Sequence, residues 1–341
     1  MDERQRNALM LAAAGAGALL LGRAVIRRSS DYDFRGKVVL ITGASRGLGL
    51  VMARELAQEG ARLVLCARSE EELGRAREQV ERLGAEVMTV PCDVTSQASV
   101  TGMIESVRNR FGRIDVLINN AGTIAVGPME TMKIEDYHEA MDINYWGAVY
   151  ATLAVLPEMQ ERRDGRIINI TSIGGKIAVP HLLPYSSSKF ALVGFSRGLR
   201  AEVLKDNIIV TTVCPGLMRT GSPRNATFKG QHREEYAWFS IADSLPGTSM
   251  SAERAARQIL AASKRGDAEI ILSIQAKVAV TLDSLFPDMS AGLLALANEL
   301  LPSAEGGTGT EGVKGKDSES KLAPSMATSL GDEAARRNNE M

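Results

Sequence analysis

The sequence predicts an α/β protein built on a doubly wound parallel sheet of about seven strands, with helices on both faces. Short runs rich in Val, Ile and Leu alternate with helical segments between residues 37 and 274. Continuous apolar runs are typical of strands that are covered on both faces, as in a parallel sheet. A glycine-rich turn follows the first run, residues 38–41, at the edge where such sheets bind ligands.

The strands and helices follow one another in a regular order, and right-handed crossovers then give a doubly wound sheet. After the first strand, the predicted strands are residues 62–66, 86–90, 116–119, 166–171, 209–214 and 269–274. The predicted helices are residues 48–59, 70–83, 100–111, 136–159 and 190–204. This alternation delimits a catalytic domain at residues 34–274.

The composition is that of an ordinary globular protein. The 341 residues are 45% apolar and 24% charged, and a net charge of −1 gives no indication of nucleic-acid binding. Cys66, Cys92 and Cys214 are widely spaced and form no CxxC pair, which argues against a disulfide framework and against structural zinc. We therefore expect buried free thiols, a reducing compartment and no metal.

The N-terminal region contains an uninterrupted run of apolar and small residues at 8–21, flanked by arginines. A spanning helix takes about 20 apolar residues, so the run is short unless Arg23 snorkels to the headgroups. We interpret residues 1–30 as a single-span or interfacial membrane anchor, with a cleaved signal peptide or a soluble helical arm as alternatives. The heavier positive charge after the run predicts a cytoplasmic catalytic domain. A soluble cytoplasmic protein is the alternative.

Two further segments follow the predicted domain. Residues 275–301 form a helical extension interrupted at Pro287, suited in order of preference to core packing, an oligomer contact or a membrane surface. Residues 302–341 are rich in Gly, Ser, Thr, Glu and Lys. Such a composition buries too little apolar surface to offset the entropy of ordering, so we expect a disordered tail.

The turn after the first strand contains Gly43, Gly47 and Gly49. Glycine allows backbone amides to approach a pyrophosphate closely, and the N-terminus of the following helix adds its positive dipole end. An ordinary βα turn is the alternative, but the strand–turn–helix context favours a dinucleotide site. The other residues of this candidate site in the turn are Ser45, Arg46 and Leu48.

The end of the second strand indicates which dinucleotide binds. A free ribose 2′-hydroxyl usually meets an acid about 20 residues past the glycines. This chain has Arg68 there and no acid before Glu70, and Arg46 is a second cation on the same side. Guanidinium groups suit phosphate oxygens, so the sequence predicts NADP(H). Solvated surface arginines are the alternative.

Tyr185 and Lys189 are four residues apart and therefore share a helix face. A free phenol has a pKa of about 10, and a nearby ammonium lowers it. Ser172 follows the strand at 166–171 and can donate a hydrogen bond to a substrate oxygen. Together with the glycine turn, these residues predict carbonyl/alcohol chemistry in which Tyr185 exchanges a proton beside a nicotinamide.

Over residues 34–274 the chain resembles the short-chain dehydrogenase/reductase family, which has a Rossmann fold. The family's glycine motif matches Thr42, Gly43, Gly47 and Gly49. Its catalytic tetrad matches Asn144, Ser172, Tyr185 and Lys189, where the resemblance implies that Asn144 kinks a helix and holds a water. Further matches, implied to border the cofactor or support the sheet, are Asp93, Val94, Asn119, Asn120, Ala121, Gly122, Pro215, Gly216 and Thr220.

The complete tetrad implies an active NADP-dependent oxidoreductase, with a catalytically silent nicotinamide-binding regulatory or scaffold protein as the alternative. Residues 67–69 resemble those of NADP-preferring members. The apolar N-terminal segment resembles that of membrane-bound enzymes acting on hydroxysteroids, retinol and keto-lipids. The resemblance also implies a homodimer or homotetramer that pairs through the helices at 136–159 and 185–205.

Residues 217–250 lie where open α/β sheets place their substrates. The apolar side chains of this segment include Met218, Phe228, Tyr236, Trp238, Phe239 and Ile241. They either pack the segment onto the domain or form a mobile lid over a lipophilic carbonyl compound, and we favour the lid. His181, four residues before Tyr185, is expected to be structural or solvent-facing rather than a substrate contact.

Overall fold

The computed structural model describes residues 32–341, so the anchor predicted at residues 1–30 lies outside the described part of the chain. Within residues 32–341, no helix combines the length and hydropathy that a bilayer crossing requires.

The described chain contains twelve strands and twelve α-helices. The strands are β1 (Val38–Thr42), β2 (Arg62–Ala67), β3 (Val87–Pro91), β4 (Val116–Asn119), β5 (Ala125–Val126), β6 (Gly165–Ile170), β7 (Ile208–Cys214), β8 (Met218–Arg219), β9 (Thr227–Phe228), β10 (Met250–Ser251), β11 (Glu269–Ile271) and β12 (Val313–Lys314). The helices are α1 (Gly47–Gln58), α2 (Glu70–Glu81), α3 (Gln97–Phe111), α4 (Ile134–Met141), α5 (Gly147–Arg162), α6 (Leu183–Val203), α7 (Ser222–Asn225), α8 (His232–Ser244), α9 (Ala252–Arg265), α10 (Ile274–Leu285), α11 (Pro287–Glu299) and α12 (Ser329–Arg337).

The predicted doubly wound parallel sheet is confirmed. Its seven strands lie in the order β11-β7-β6-β4-β1-β2-β3, and every pairing is parallel. The chain runs outward from β1 to β3 and then returns to place β4 on the other side of β1. This reversal opens a crevice at the carboxyl ends of β1 and β4, where ligands bind in folds of this type.

Both faces of the sheet are buried. Along β1, Val39 and Ile41 belong to one apolar cluster, while Val38 and Leu40 belong to the other. This alternation follows from the two-residue period of a strand, and it explains why the strands appear as continuous apolar runs. The three cysteines are buried free thiols, as expected.

Element boundaries differ from the prediction where special backbone geometry intervenes. The predicted helix at 136–159 is divided into α4, a π-helix at Asp142–Trp146, and α5. Helix α6 begins before residue 190, because Pro184 occupies its first turn without losing a needed hydrogen bond. Strand β11 stops before residue 274, because Ser273 caps the start of α10.

The extension at 275–301 does not pack into the core, contrary to the first-ranked expectation. Helices α10 and α11 contact each other, and Ala276 is the one buried residue of the two. Their large side chains remain exposed because the pair follows the edge strand β11 and leaves the sheet. The exposed residues include Ile274, Val278, Leu282, Leu285, Phe286, Met289, Leu293, Leu296 and Leu300.

Residues 302–341, for which the composition predicts disorder, lie along the domain in the structure; we call them the strap. Strand β12 pairs antiparallel with β9, and helix α12 packs against α8. Helix α12 approaches closely because its contact residues are small, with Gly331, Ala334 and Ala335 buried. Specific backbone hydrogen bonds and small buried side chains provide the contacts, and an average over the composition does not detect them.

Candidate active site

The glycine turn is held against the start of the loop that follows β4. Gly43 has a φ of +65°, and a Cβ at this position would lie 2.8 Å from Ala121 Cα. The Asn120 side-chain amide donates hydrogen bonds of 3.0 Å to the carbonyl oxygens of Thr42 and Gly43. Only glycine fits this backbone at this distance, so Asn120 and Ala121 form one wall of the crevice.

Asn119 lies beneath this wall and ties the sheet to the catalytic helix. Its Nδ2 donates to Asn169 Oδ1 over 2.8 Å, and Asn169 Nδ2 donates to Ser196 Oγ over 2.9 Å. These side chains are buried, and their hydrogen bonds offset the cost of removing them from water. The chain of contacts fixes α6 relative to β4 and β6.

Three tetrad residues meet where β6 ends against α6. Ser172 follows β6, and its hydroxyl forms a side-chain hydrogen bond with Tyr185. Lys189 Nζ donates to the Ile170 carbonyl over 3.1 Å and lies 5.8 Å from the centroid of the Tyr185 ring. The predicted grouping of hydroxyl, phenol and ammonium is therefore present in the structure.

Burial dominates the electrostatics of this group. Burial raises the pKa of Tyr185 to about 12, against a lowering by the Ser172 hydrogen bond, while the charge of Asp243 raises it further. Burial also lowers the pKa of Lys189 to about 8. The expectation that the pKa of the phenol is brought toward neutrality is not met, because burial is the largest influence on it. Tyr185 is thus a protonated phenol near neutral pH and can act as an acid.

Asn144 lies inside the π-helix, at the position where the resemblance implies a kink. Its Nδ2 donates to the Thr123 carbonyl over 3.1 Å and to Ser188 Oγ over 2.9 Å, while its Oδ1 accepts from the Thr123 N–H over 2.9 Å. A Cβ on Gly122 would lie 3.0 Å from Asn144 Oδ1 and 3.6 Å from Lys189 Nζ. The wider π turn therefore brings Asn144 close to the lysine.

The remaining predicted cofactor residues lie around the same crevice. The Pro215 carbonyl accepts a hydrogen bond of 2.7 Å from the N–H of Ile173, which links the loop after β7 to the one after β6. Gly216 faces Ser273, and Thr220 Oγ1 donates to Ser222 Oγ over 2.8 Å. At the other end, Asp93 is exposed, whereas Val94 is buried.

Arg46 is not a free cation in this structure. Its Nη1 lies 2.7 Å from Glu72 Oε1, and the other oxygen of Glu72 accepts a hydrogen bond of 2.8 Å from Ser45 Oγ. Arg68 is exposed. Burial lowers the pKa of Lys314, and the positive charges of Arg68 and Arg46 lower it further. The positive charges of both arginines therefore act on Lys314, which belongs to the strap.

The aromatic residues of the segment at 217–250 pack onto the domain rather than facing an open cavity. Phe228, Tyr236 and Phe239 are buried, and the Phe228 ring lies 5.5 Å from Tyr236 and 6.0 Å from Phe239 between centroids. His181 is also buried, with its Nδ1 2.7 Å from Glu235 Oε1, in agreement with a structural role. The packing interpretation fits these residues better than the mobile lid.

Sequence reasoning missed several residues of the site. They are Glu72, Thr123, Ser188, Asp243 and Glu340, of which the last lies in the strap. Ser188 stands between Tyr185 and Lys189 and carries a helical-spacing signal, since residues three apart share a face. Thr123 directly follows Gly122 and Glu72 lies four residues after Arg68, but neither position shows a pattern of its own. Asp243 and Glu340 lie far from the motifs in sequence, and no local pattern marks them.

A glycine turn, the asparagine wall and the tetrad therefore surround one crevice. Residues 37–229, more than half of the chain, match the family described as short chain dehydrogenase. The chain belongs to the short-chain dehydrogenase/reductase family. As a member of this family, the protein is an oxidoreductase.

Curated relatives agree with this assignment. The chain is 39% identical over 261 residues to a dehydrogenase/reductase SDR family protein 7-like from Anopheles gambiae, covering 74% of this chain and 80% of the relative. It is 34% identical over 281 residues to a fatty acyl-CoA reductase from Acinetobacter baylyi, covering 82% of this chain and 90% of the relative.

Solved structures of the family share the fold. An NAD⁺-bound xylitol dehydrogenase superposes with a TM-score of 0.64 at 28% identity, covering 71% of this chain and 99% of the other. The L-sorbose reductase from Gluconobacter frateurii, solved with NADPH and L-sorbose, has a TM-score of 0.63 at 30% identity, with coverages of 71% and 97%. These short-chain dehydrogenase/reductase neighbours thus bind either form of the nicotinamide cofactor.

Proposed function

We propose that the protein is an NADP(H)-dependent oxidoreductase that interconverts a carbonyl and an alcohol on a lipophilic substrate, with Tyr185 as the acid/base. The observation that carries this proposal is the hydrogen bond between Ser172 and Tyr185, with the Lys189 ammonium beside the same ring. A buried phenol held by a hydroxyl and flanked by a cation is suited to proton exchange with an oxygen atom.

The crevice fits a dinucleotide phosphate. In the structure the carboxyl group of Glu340 accepts a hydrogen bond from the Gly221 N–H over 2.5 Å and lies beside Gly47 at the start of α1. This carboxyl group stands in for a phosphate at a helix N-terminus. The residues that would hold NADP(H) are Gly43, Ser45, Arg46, Gly47, Leu48, Gly49, Arg68, Asp93, Val94, Asn120, Ala121, Gly122, Tyr185, Lys189, Pro215, Gly216 and Thr220. When bound, the nicotinamide supplies or accepts a hydride.

The residues of this chain manage the proton and the substrate oxygen. In reduction, the Tyr185 hydroxyl donates its proton to the substrate oxygen, and Ser172 hydrogen-bonds to the same oxygen. Burial disfavours the Tyr185 phenolate formed in this step, and the positive charge of the neighbouring Lys189 favours it. Asn144 fixes the backbone around this group through Thr123 and Ser188.

The positive field of Arg46 and Arg68 supports the preference for NADP(H). A 2′-phosphate at this end would meet the exposed Arg68 guanidinium and that of Arg46, which is paired with Glu72 in this structure; each is a planar donor fork. We expect the double variant Arg46→Ala with Arg68→Ala to lose roughly 10-fold or more in NADPH affinity relative to NADH affinity. Arg82→Ala, an exposed arginine at the far end of α2, serves as the control. Equal affinities of the unmodified protein for NADPH and NADH would contradict the preference.

A lipophilic substrate is supported by the fatty acyl-CoA reductase relative. The test follows NADPH oxidation with ketones and aldehydes of graded hydrophobicity, using Tyr185→Phe as control. We expect turnover to rise with hydrophobicity and to fall in the variant by about 10² to 10⁴-fold, the usual contribution of an acid/base group. Cofactor binding without turnover would favour the regulatory alternative, and turnover of sugars alone would contradict the substrate class.

A homodimer or homotetramer is proposed through the α4–α5 and α6 surface. Trp146, Leu153 and Phe190 on this surface are 41%, 56% and 43% exposed. A groove of about 430 Å³ runs between α5 and α6 and is lined by Leu153, Leu156 and Phe195, among others. Exposed apolar patches of this kind mark interaction surfaces. Light scattering of Leu153→Glu against the unmodified protein tests the pairing.

Membrane association, with the catalytic domain on the cytoplasmic side, is proposed from the apolar run at residues 8–21. The exposed apolar side chains of α10 and α11 add a second surface that suits lipid. Flotation with vesicles tests the proposal, with a variant carrying Leu→Lys substitutions in the run as control.

A further inference from the structure

The strap covers the segment that closes the substrate side of the crevice. Its first half follows residues 224–232 through backbone hydrogen bonds, including Thr308 N–H to Gly230 O at 2.9 Å and Gly315 N–H to Ala226 O at 3.0 Å. An ion pair of 2.8 Å joins Arg224 to Glu319. This half of the strap is therefore attached along its length rather than at a single point.

Helix α12 then packs on α8 and directs the chain into the crevice. A Cβ on Gly331 would collide with Ser244 Oγ, so the two helices are in close contact. The space that remains between them, bounded by Thr220, Tyr236 and Ala335, is about 10 Å³. A void of this size holds at most about one water, so no ligand group fits there while α12 is in place.

The last part of the strap occupies the glycine turn. The Gly47 N–H, the first amide of α1, donates to the Asn338 carbonyl over 2.9 Å. Asn339 Nδ2 donates to the carbonyl oxygen of Ser45 over 2.7 Å, and Asn339 Oδ1 accepts from Arg75 Nε over 2.9 Å. The Gly47 amide and the space beside it, which a pyrophosphate requires, are thus already used.

Glu340 connects the two ends of the cofactor crevice. Its Oε2 accepts from the Gly221 N–H over 2.5 Å, and its Oε1 lies 3.1 Å from where a Cβ of Gly47 would be. Gly47 belongs to the phosphate turn, and Gly221 follows Thr220, which fits the family position that often contacts the nicotinamide amide. A single carboxyl group therefore stands across the path of the dinucleotide.

We propose that the strap is an intramolecular inhibitor that occupies the cofactor crevice and must be displaced before NADP(H) binds. This inference rests on the proposed function, because it takes the dinucleotide as the competing ligand. Because the cofactor binds only molecules whose crevice is free, the docked strap lowers the apparent cofactor affinity in proportion to the fraction of such molecules. Displacement of the strap also releases the contacts over residues 224–232, so cofactor binding and opening of the substrate side are coupled.

Cofactor titration of the full chain tests the proposal. Glu340→Lys places a cation beside Arg46 and removes the acceptor for Gly221, so we expect the Kd for NADPH to fall by roughly 10-fold, the size of a lost charged hydrogen bond. Glu340→Gln retains an acceptor and is expected to leave the Kd near that of the unmodified protein. Glu333→Lys, at an exposed position in the preceding helix α12, is the matched control.

A second variant and a second readout separate this inference from the proposed function. Gly331→Val forces α12 away from Ser244 and is also expected to lower the Kd. Hydrogen exchange of peptides containing Gly47 and Gly221 needs no cofactor, and both amides are expected to exchange faster in Glu340→Lys and Gly331→Val than in the unmodified chain.

The exchange and binding measurements together distinguish three outcomes. Faster exchange in both variants with no NADPH binding in any protein supports the docked strap and contradicts the proposed cofactor. Unchanged exchange at Gly47 and Gly221 overturns the docked strap. Faster exchange with an unchanged Kd for NADPH shows that the strap does not compete with the cofactor, which overturns the inhibitory role.

Discussion

The side-chain amide of Asn144 donates a hydrogen bond to Ser188 Oγ over 2.9 Å and so joins the π-helix to α6, the helix that carries Tyr185. The Ser188 hydroxyl in turn donates to the Tyr185 carbonyl over 2.7 Å. The backbone of the proposed acid/base is therefore held from a helix that lies more than 40 residues earlier in the chain. This relationship gives Asn144 a positioning role that does not require it to contact the substrate.

Asn144→Ala removes three hydrogen bonds, two to Thr123 and one to Ser188, and leaves buried partners unsatisfied. We expect a loss of about 1–3 kcal/mol in the free energy of unfolding. We also expect kcat to fall while the Kd for NADPH stays unchanged, since the glycine turn is not touched. Denaturant unfolding and steady-state kinetics measure both. Asn109→Ala, an exposed position in α3, is the control, and a change in KM alone would contradict positioning.

Gly43 and Gly74 provide a matched pair of glycine substitutions. Gly43→Ala places a Cβ 2.8 Å from Ala121 Cα at a φ of +65°, so we expect destabilisation and loss of cofactor binding. Gly74 lies in the exposed middle of α2 with no atom within 4 Å of a Cβ, so Gly74→Ala is expected to stabilise the protein by up to about 1 kcal/mol. Thermal unfolding of both variants tests the prediction, which requires the unfolding temperature to fall in Gly43→Ala and to rise in Gly74→Ala.

Asp243 acts on the proposed acid/base by charge. Burial and the neighbouring Glu340 raise the pKa of Asp243 to about 8, and its charge raises the pKa of Tyr185. Above pH 8, Asp243→Asn removes a negative charge near the phenol, so we expect the basic limb of the kcat–pH profile to move to lower pH. Asp288→Asn, which is exposed on α11, should leave the profile unchanged. A shift to higher pH would contradict this electrostatic coupling.

Docking of the strap should weaken as the pH rises. Burial raises the pKa of Glu340 from its usual 4.5 to about 7, against the lowering effects of the Gly221 N–H and Arg46, while Glu72 raises it further. Asp243 faces it as well. Because the docked form binds the proton more tightly, docking is strongest below pH 4.5 and loses stability up to about pH 7.

Hydrogen exchange of the Gly47 peptide between pH 5 and pH 8, corrected for the intrinsic rate, measures this dependence. The Asn or Gln form of an acid cannot titrate, so Glu340→Gln is expected to remove most of the pH dependence while keeping the strap docked. An unchanged pH dependence in that variant would assign the effect to Asp243 or another group.

The sequence predicted the sheet and the candidate site because both depend on patterns within short stretches of the chain. The apolar residues 38–41 indicate a strand that is covered on both faces. The glycines between Gly43 and Gly49 indicate a turn between a strand and a helix in which backbone segments approach closely. The spacing of Tyr185 and Lys189 on one helical face is likewise a property of four consecutive residues. The family resemblance extended this to Asn144, where the structure has a π-helix.

Other features depend on which residues the fold brings together. The pKa of Tyr185 rises to about 12 mainly because the side chain is buried, and burial is not visible in a motif. Helices α10 and α11 have the apolar content of core elements, yet they lie outside the core because the sheet ends at β11. The average composition of the strap likewise does not reveal the few specific contacts that its residues make.

The sequence by itself determined the class of fold and predicted the crevice and the residues that we propose for proton exchange, because local periodicity and spacing encode them. Only the tertiary structure decided what stands in that crevice. Glu340 contacts Gly221, which lies 119 positions earlier in the chain. Asn338 contacts Gly47, which lies even further away in sequence. Contacts between such distant residues follow from the packing of α12 on α8, since surface shape and backbone hydrogen bonding carry no local pattern in sequence.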